Sequence, residues 1–167
     1  MFRQYDEKCP RCGASGKLSS YGTYSRNLVS YKDGMTIESR VSPRRFKCAS
    51  CGATHALLPD ILVPYSPYSL RFKLSVLIAY FEKSMKTAEI HEHLGIAVST
   101  LYSWKKRLLE HKDIFLGILA SKEESAIAFI HKLLGASCIS DNLRSFFHQY
   151  AFSFMQSSST ATRSRPP

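Results

Sequence analysis

Acidic residues are scarce in this chain: 13 Asp and Glu stand against 23 Lys and Arg, for a net charge of +10. Such an excess makes polyanions the natural partners. Long apolar runs are missing as well. The longest, Val76 to Phe81, is far below the ~20 residues that a membrane span needs. Binding to a membrane surface would require a basic amphipathic helix or a lipidation signal, and neither is visible. The opening Met1-Phe2-Arg3-Gln4-Tyr5-Asp6 lacks the apolar region of a secretory signal, so a cytoplasmic location is expected. In that setting the five cysteines read as reduced thiols. There is no internal repeat of 20–50 residues, no phosphate-cradling glycine loop and no nucleophile–base constellation, which argues against an enzyme.

What is present supports a packed core: 44% of residues are hydrophobic and 12% aromatic in 167 residues, enough for one ordinary domain or a few small ones. The charge is uneven. Residues 1–62 hold ten Lys/Arg against five acids and residues 63–112 hold eight against four, whereas residues 113–167 hold five against four. A face for nucleic acid is therefore expected in the first two-thirds.

The pattern predicts an α+β fold, a small β-rich four-cysteine zinc ribbon followed by an all-α helix-turn-helix domain and C-terminal helices. The expected boundaries are 1–62 for the ribbon, 66–112 for the helix-turn-helix domain, 113–156 for a C-terminal helical segment and 157–167 for a disordered tail. Tyr21 to Tyr31 is strand-compatible, Lys32-Asp33-Gly34 is a turn, and Met35 to Val41 returns as a second strand. Arg44 to Lys47 leads into the second cysteine pair, and a connector with Pro59, Pro64 and Pro67 follows. From Ser69, a suitable N-cap, the period becomes helical through Leu70, Leu74, Leu77, Ile78 and Phe81. Two shorter helices are expected at about 87–94 and 99–110. Further helices carry Ile114, Ile118, Ile127, Ile130, Leu133 and Leu134 up to Gly135. A last helix, capped by Ser140, carries Phe146, Phe147, Tyr150, Phe152 and Phe154. Those aromatics serve either the protein's own core or a dimer or partner surface.

Cys9-Pro10-Arg11-Cys12-Gly13 and Cys48-Ala49-Ser50-Cys51-Gly52 are two CxxCG knuckles. Two residues between cysteines let one tight turn aim both sulfurs at a single ion, and the following Gly tolerates positive φ. Two such turns make Cys9, Cys12, Cys48 and Cys51 a closed tetrahedral set of four sulfurs, the coordination preferred by one structural Zn²⁺. A redox pair or an iron–sulfur role is the alternative. His55 would be a ligand only if one cysteine were absent from the set, and Cys138 reads as a small buried side chain. Basic and aromatic residues interleave through the ribbon, and Arg44, Arg45 and Lys47 are candidates for phosphate contact, with a merely solvated strand face as the alternative.

The segment 87–106 carries the pattern of a helix-turn-helix. Ile90, Leu94, Ile96, Leu101 and Trp104 supply an interior, Gly95 supplies the turn, and Ser99, with Val98 before it, is suited to cap the second helix. That helix would enter the major groove by its N-terminal end, with Ser99, Thr100, Tyr102 and Ser103 as candidate contacts and Lys105, Lys106 and Arg107 against the backbone. His91 stands four residues before the turn Gly, where a small residue is usual. A plain antiparallel helical pair is the alternative.

Together these motifs resemble the N-terminal region of insertion-sequence transposases. There a four-cysteine ribbon with a basic strand, here Arg44-Arg45-Phe46-Lys47-Cys48-Ala49-Ser50-Cys51-Gly52, precedes a helix-turn-helix with a sequence such as Ser99-Thr100-Leu101-Tyr102-Ser103-Trp104. The chain is also similar to small bacterial zinc-ribbon proteins of mobile elements, including the stretch Leu58-Pro59-Asp60-Ile61-Leu62-Val63-Pro64-Tyr65. The resemblance covers roughly 5–112 and implies double-stranded DNA as partner. Whole transposases add a domain with three carboxylates holding two metal ions. After Lys112 only 55 residues remain, and they read as helical. The expectation is a non-catalytic DNA-recognition protein of a mobile element, paired with a separately encoded transposase or acting as a homodimer. A transcriptional regulator or a zinc-ribbon interaction adaptor are the alternatives.

Overall fold

Three short strands flank and join the two cysteine knuckles. β1 (Leu18–Thr23), β4 (Arg44–Cys48) and β5 (Thr54–Leu57) form an antiparallel sheet in the order β1-β4-β5. Between β1 and β4 the chain makes a separate hairpin of β2 (Arg26–Lys32) and β3 (Met35–Val41), paired from Arg26 with Val41 to Lys32 with Met35. The computed structural model describes residues 8–32, 35–59, 62–118, 125–136, 139–150 and 152–156. Asp33 and Gly34 of the expected turn, Cys138 and the tail 157–167 lie outside them.

The stretch Tyr21 to Tyr31, expected as one strand, is two. The β1–β4 register shifts between Ser20 and Thr23, and Gly22 within that gap has φ +87°. An irregularity of this kind bends the chain away from its partner strand, so β2 begins a second sheet. β2 then docks on the connector that precedes the helices. The Val29 N–H donates to the Pro67 carbonyl (2.7 Å) and the Ser69 N–H donates to the Val29 carbonyl (2.9 Å). Arg26 Nη2 donates to the Val63 carbonyl at 2.6 Å and also to that of Ser66. Val29 and Tyr31 pack against the helical core.

Five helices follow. α1 (Leu70–Phe81) starts where Ser69 Oγ accepts the Phe72 N–H at 3.1 Å, which confirms the expected cap. Its buried stripe includes Leu70, Leu74 and Leu77 as predicted, and also Phe72, Lys73 and Val76. At the start of α2 (Thr87–Leu94) Glu89 Oε2 accepts the Lys86 N–H at 2.7 Å. α3 (Val98–Ile118) is longer than the expected 99–110. The Ala97 carbonyl accepts from Thr100 and Leu101, so Ser99 lies inside the first turn and does not cap the helix. No breaker follows Glu110, and the buried stripe Leu101, Trp104, Leu108 continues into Phe115, which carries the helix onward.

α4 (Ala126–Gly135) is capped by Ser125, whose Oγ accepts the Ala128 N–H at 3.2 Å. α5 (Ile139–Tyr150) already includes Ser140 as its second residue, so Ser140 is not its cap. One continuous apolar cluster runs from Val63 through Phe115 and Phe129 to Met155, so all five helices share a core. The Phe115 ring stacks on Phe146 at 5.6 Å between centroids and meets Phe129 and Phe154 edge to face. Phe146 and Phe154 are buried, and Tyr150 and Phe152 pack against the same cluster. Four of the five C-terminal aromatics thus serve the protein's own core; Phe147 is half-buried. Among the described residues no helix is long and apolar enough to cross a membrane.

Candidate metal centre and helix-turn-helix face

The two knuckles have the same construction. In the first, the Cys9 N–H donates to the Ala14 carbonyl (2.9 Å) and the Gly13 N–H to the Cys9 carbonyl (2.8 Å). In the second, the Cys48 N–H donates to Ala53 (2.9 Å) and the Gly52 N–H to Cys48 (2.9 Å). Gly13 and Gly52 take φ +71° and +70°, where a side chain would be strained. Pairing of Leu18 with Cys48 across β1 and β4 brings the turns face to face. The four sulfurs lie within 4.8 Å of one another and can hold a metal ion. The Cys9–Cys51 and Cys12–Cys48 sulfurs are each 3.7 Å apart. A tetrahedral ion with metal–sulfur bonds of about 2.3 Å needs edges of about 3.8 Å, so the donor set fits.

Local electrostatics divides the sulfurs. At Cys12 the lowering effect of the Ala14 backbone is outweighed by burial and by Cys9, Cys51 and Cys48, which push its thiol up to about 12. Cys48 instead favours thiolate. The backbone N–H of Cys51, against the opposing effect of burial and together with the N–H of Ser50, brings the Cys48 thiol down to about 6. His55, on β5, does not complete the set: all four cysteines are present, and its Nε2 instead lies 3.3 Å from Cys9 Sγ. Burial, with Arg11 nearby, lowers the pKa of His55. A neutral ring can donate an N–H to the sulfur, a role beside the ligands rather than among them.

The basic strand divides into two faces. Arg45 and Lys47 lie over the Tyr21 ring at 5.4 and 5.3 Å, and Arg45 also lies 5.8 Å from Tyr24. Arg45 is half-buried there, with a buried Nε that has no hydrogen-bond partner among the described residues. Arg44 is exposed and alternates with Arg45 along β4, which turns it to the other face. The expected trio therefore does not converge: Lys47 and Arg44 are free to meet solvent on opposite sides, and Arg45 stacks on tyrosines.

In the helix-turn-helix segment Ile90, Ile96, Leu101 and Trp104 are buried as expected, and Leu94 packs beside them. Gly95 takes φ +64° and its N–H donates to the His91 carbonyl. His91 sits at the edge of the crossing, exposed, with Nδ1 3.1 Å from the Ile96 carbonyl oxygen, so its ring braces the turn. Ser99, Tyr102 and Lys106 are exposed on the outer face of α3, with Ser103 half-buried beside them. Lys106 makes an exposed 3.8 Å pair with Glu110. Lys105 is held on the α1 side, its Nζ donating to the Tyr80 hydroxyl at 3.3 Å.

Ser99 and Ser103, at the border of the outer face, also line an open cleft of about 420 Å³ between α3, α1 and the connector, together with Thr100 and Arg107. At its base is a residue that the sequence pattern alone did not single out. Lys73 is only 1% exposed, and its Nζ lies 5.4 Å from the Trp104 ring centroid. Burial first, then Arg107 and Arg26, pushes its pKa down to about 7. A signal did exist, since Lys73 stands three residues after Leu70 and four before Leu77, inside the apolar stripe.

Fold and site together define a four-cysteine β module joined through a hairpin to a helical body with a helix-turn-helix at its start. The chain belongs to the family described as a domain of unknown function, DUF6431, whose model matches residues 9–104. That span opens at the first cysteine of the cluster and closes at the buried Trp104 of α3. No curated protein and no solved structure matches the chain.

Proposed function

We propose that this protein is a non-catalytic, sequence-specific DNA-binding protein of a mobile element, with one structural zinc ion in its β module. The observation that carries the reading is the first half of α3. Apolar residues Leu101 and Trp104 anchor it, and Ser99, Tyr102 and Lys106 face outward, as a helix that reads a major groove requires. The net charge of +10 supports it, because phosphate neutralisation supplies most non-specific affinity. For the metal, four thiols at tetrahedral spacing suit zinc, which in such a closed site stabilises structure and leaves no open position for substrate. Cys9, Cys12, Cys48 and Cys51 would hold it.

The resemblance to transposase N-terminal regions favours DNA recognition on behalf of a separately encoded transposase. Fluorescence anisotropy with metal-loaded protein tests this. Duplexes carrying the terminal repeats of the host element should bind more tightly than scrambled duplexes, and affinity should fall steeply with salt. Preference for the protein's own promoter would make it a regulator. Absence of salt-dependent binding to any duplex would remove the DNA reading and leave an adaptor.

A further inference from the structure

The cleft beside α3 is lined by cationic and hydroxyl side chains. Its described lining contains two cationic side chains, Lys73 and Arg107, the hydroxyls of Ser99, Thr100 and Ser103, and no carboxylate. The Lys73 side chain is fully buried and its ammonium makes no hydrogen bond or ion pair among the described residues; Nζ lies 5.4 Å from the centroid of the Trp104 ring. The ring quadrupole attracts the ammonium but accepts none of its N–H groups in a directed bond. Arg26, the third cation near Lys73, is occupied in holding the Val63 and Ser66 carbonyls, which fixes the connector that walls the cleft. The first turn of α3 opens on the same wall, and a helix N-terminus favours negative charge.

A buried ammonium without a counter-ion is costly, and an apolar side chain of similar size in its place is often stabilising. The cost is offset when an anion enters the cleft. We propose that this cleft is a phosphate-binding site, in which Lys73 and Arg107 share one phosphate group and the hydroxyls of Ser99, Thr100 and Ser103 donate to its remaining oxygens. The volume of about 420 Å³ leaves room for the substituents of a phosphodiester. The source favoured is a backbone phosphate of duplex DNA, because Ser99 and Ser103 belong to both the cleft and the outer half of α3; this clause rests on the DNA reading above.

Binding should also be linked to protons. Among the described residues Lys73 faces Arg107 from α3, Arg26 from β2 and the Trp104 ring, and Glu110 lies beside Arg107. A bound phosphate favours the charged ammonium, so affinity should weaken as pH rises above 7.

The test uses the full-length, metal-loaded protein with Lys73 followed by NMR at its side-chain carbon and nitrogen, titrated with inorganic phosphate, pyrophosphate and a duplex. Phosphate should move the Lys73 signals and raise its pKa by about one unit or more. Lys73→Met and Arg107→Gln should each weaken phosphate binding about tenfold or more, with thermal melts confirming that both variants fold. If duplex displaces phosphate and the two variants lose duplex affinity to the same degree, the source is the DNA backbone. If phosphate binds and duplex does not compete, the site stands with a free phosphorylated ligand, and the DNA clause falls. Lys73 signals unmoved by phosphate, by pyrophosphate and by a duplex that does bind elsewhere would overturn the proposal.

Discussion

Trp104 meets Tyr68 edge to face, with 5.0 Å between ring centroids. The same indole packs on Phe72, so connector, α1 and α3 converge on one side chain that is 3% exposed. Trp104→Ala should therefore cost about 3–5 kcal/mol of stability, read by urea denaturation with circular dichroism. Trp104→Phe should cost clearly less. A loss below about 1 kcal/mol for the alanine variant would mean that α3 is not anchored there.

The turn between α2 and α3 gives a cleaner test of backbone conformation. A Cβ added at Gly95 would meet nothing within 4 Å, so Gly95→Ala isolates the cost of φ +64°. The expected loss is about 1–2 kcal/mol, and Gly95→Asn should recover part of it. Equal stability of all three proteins would show that the turn relaxes to another conformation.

Metal analysis should return about one zinc per chain, and Cys48→Ser should abolish stoichiometric binding. Chelation should remove the cooperative unfolding of the β module, because its three strands contribute few buried apolar residues beyond the cysteines themselves. Small modules of this kind depend on the ion for folding. Retention of an unchanged melting transition after complete metal removal would contradict this.

Lys73 makes stability depend on pH. Its pKa falls from an ordinary 10.5 to about 7 in the fold, so between those values the unfolded chain holds more protons than the native one. Stability then rises with pH across that window, at up to about 1.4 kcal/mol per unit from this group. Lys73→Met should be more stable than the parent near pH 7, and the gap should close toward pH 10. His111 acts on the acid side. Burial lowers its pKa, with Glu110 opposing and Arg107 assisting, and its Nδ1 accepts the Met155 N–H at 3.2 Å. Stability should fall as pH drops below 6.5, the ordinary value for this group, and His111→Gln should flatten that slope.

Lys106 separates binding from folding. Its pair with Glu110 is exposed, so Lys106→Ala should leave the melting temperature unchanged. On the proposed function it should reduce the salt dependence of duplex binding by about one phosphate contact. Unaltered affinity and slope would take the outer face of α3 out of the interface.

The parts of this architecture that were legible from sequence are those set by local chemistry. Two CxxCG turns need only neighbouring residues to adopt their shape, and Ser69 and Gly95 declare a helix start and a turn in the same local way. What was hidden depends on partners distant in sequence. The four-residue β5 is too short for its alternation to signal a strand without β4 beside it. The split between β1 and β2 follows from an irregularity whose effect is set by two different partners. Ser99 and Ser140 both look like caps, yet Val98 and Ile139 are already the first residues of the two helices, so each serine falls inside the first turn. Lys73 was hidden by its type: lysine is read as solvent-facing, while its place in the stripe puts it inside.

The hairpin of β2 and β3 gives the metal centre a reach that four sulfurs alone would lack. Its strands leave and rejoin the chain between the second and third cysteine, so an ion that gathers the cysteines also gathers both feet of the hairpin. The far side of β2 is stitched to the residues from which α1 springs. An ion held by the four cysteines would thereby constrain where the helices begin. A cell that withholds the ion would release that strut and uncouple the two halves of the molecule, leaving the α3 surface intact but no longer aimed by the module that precedes it.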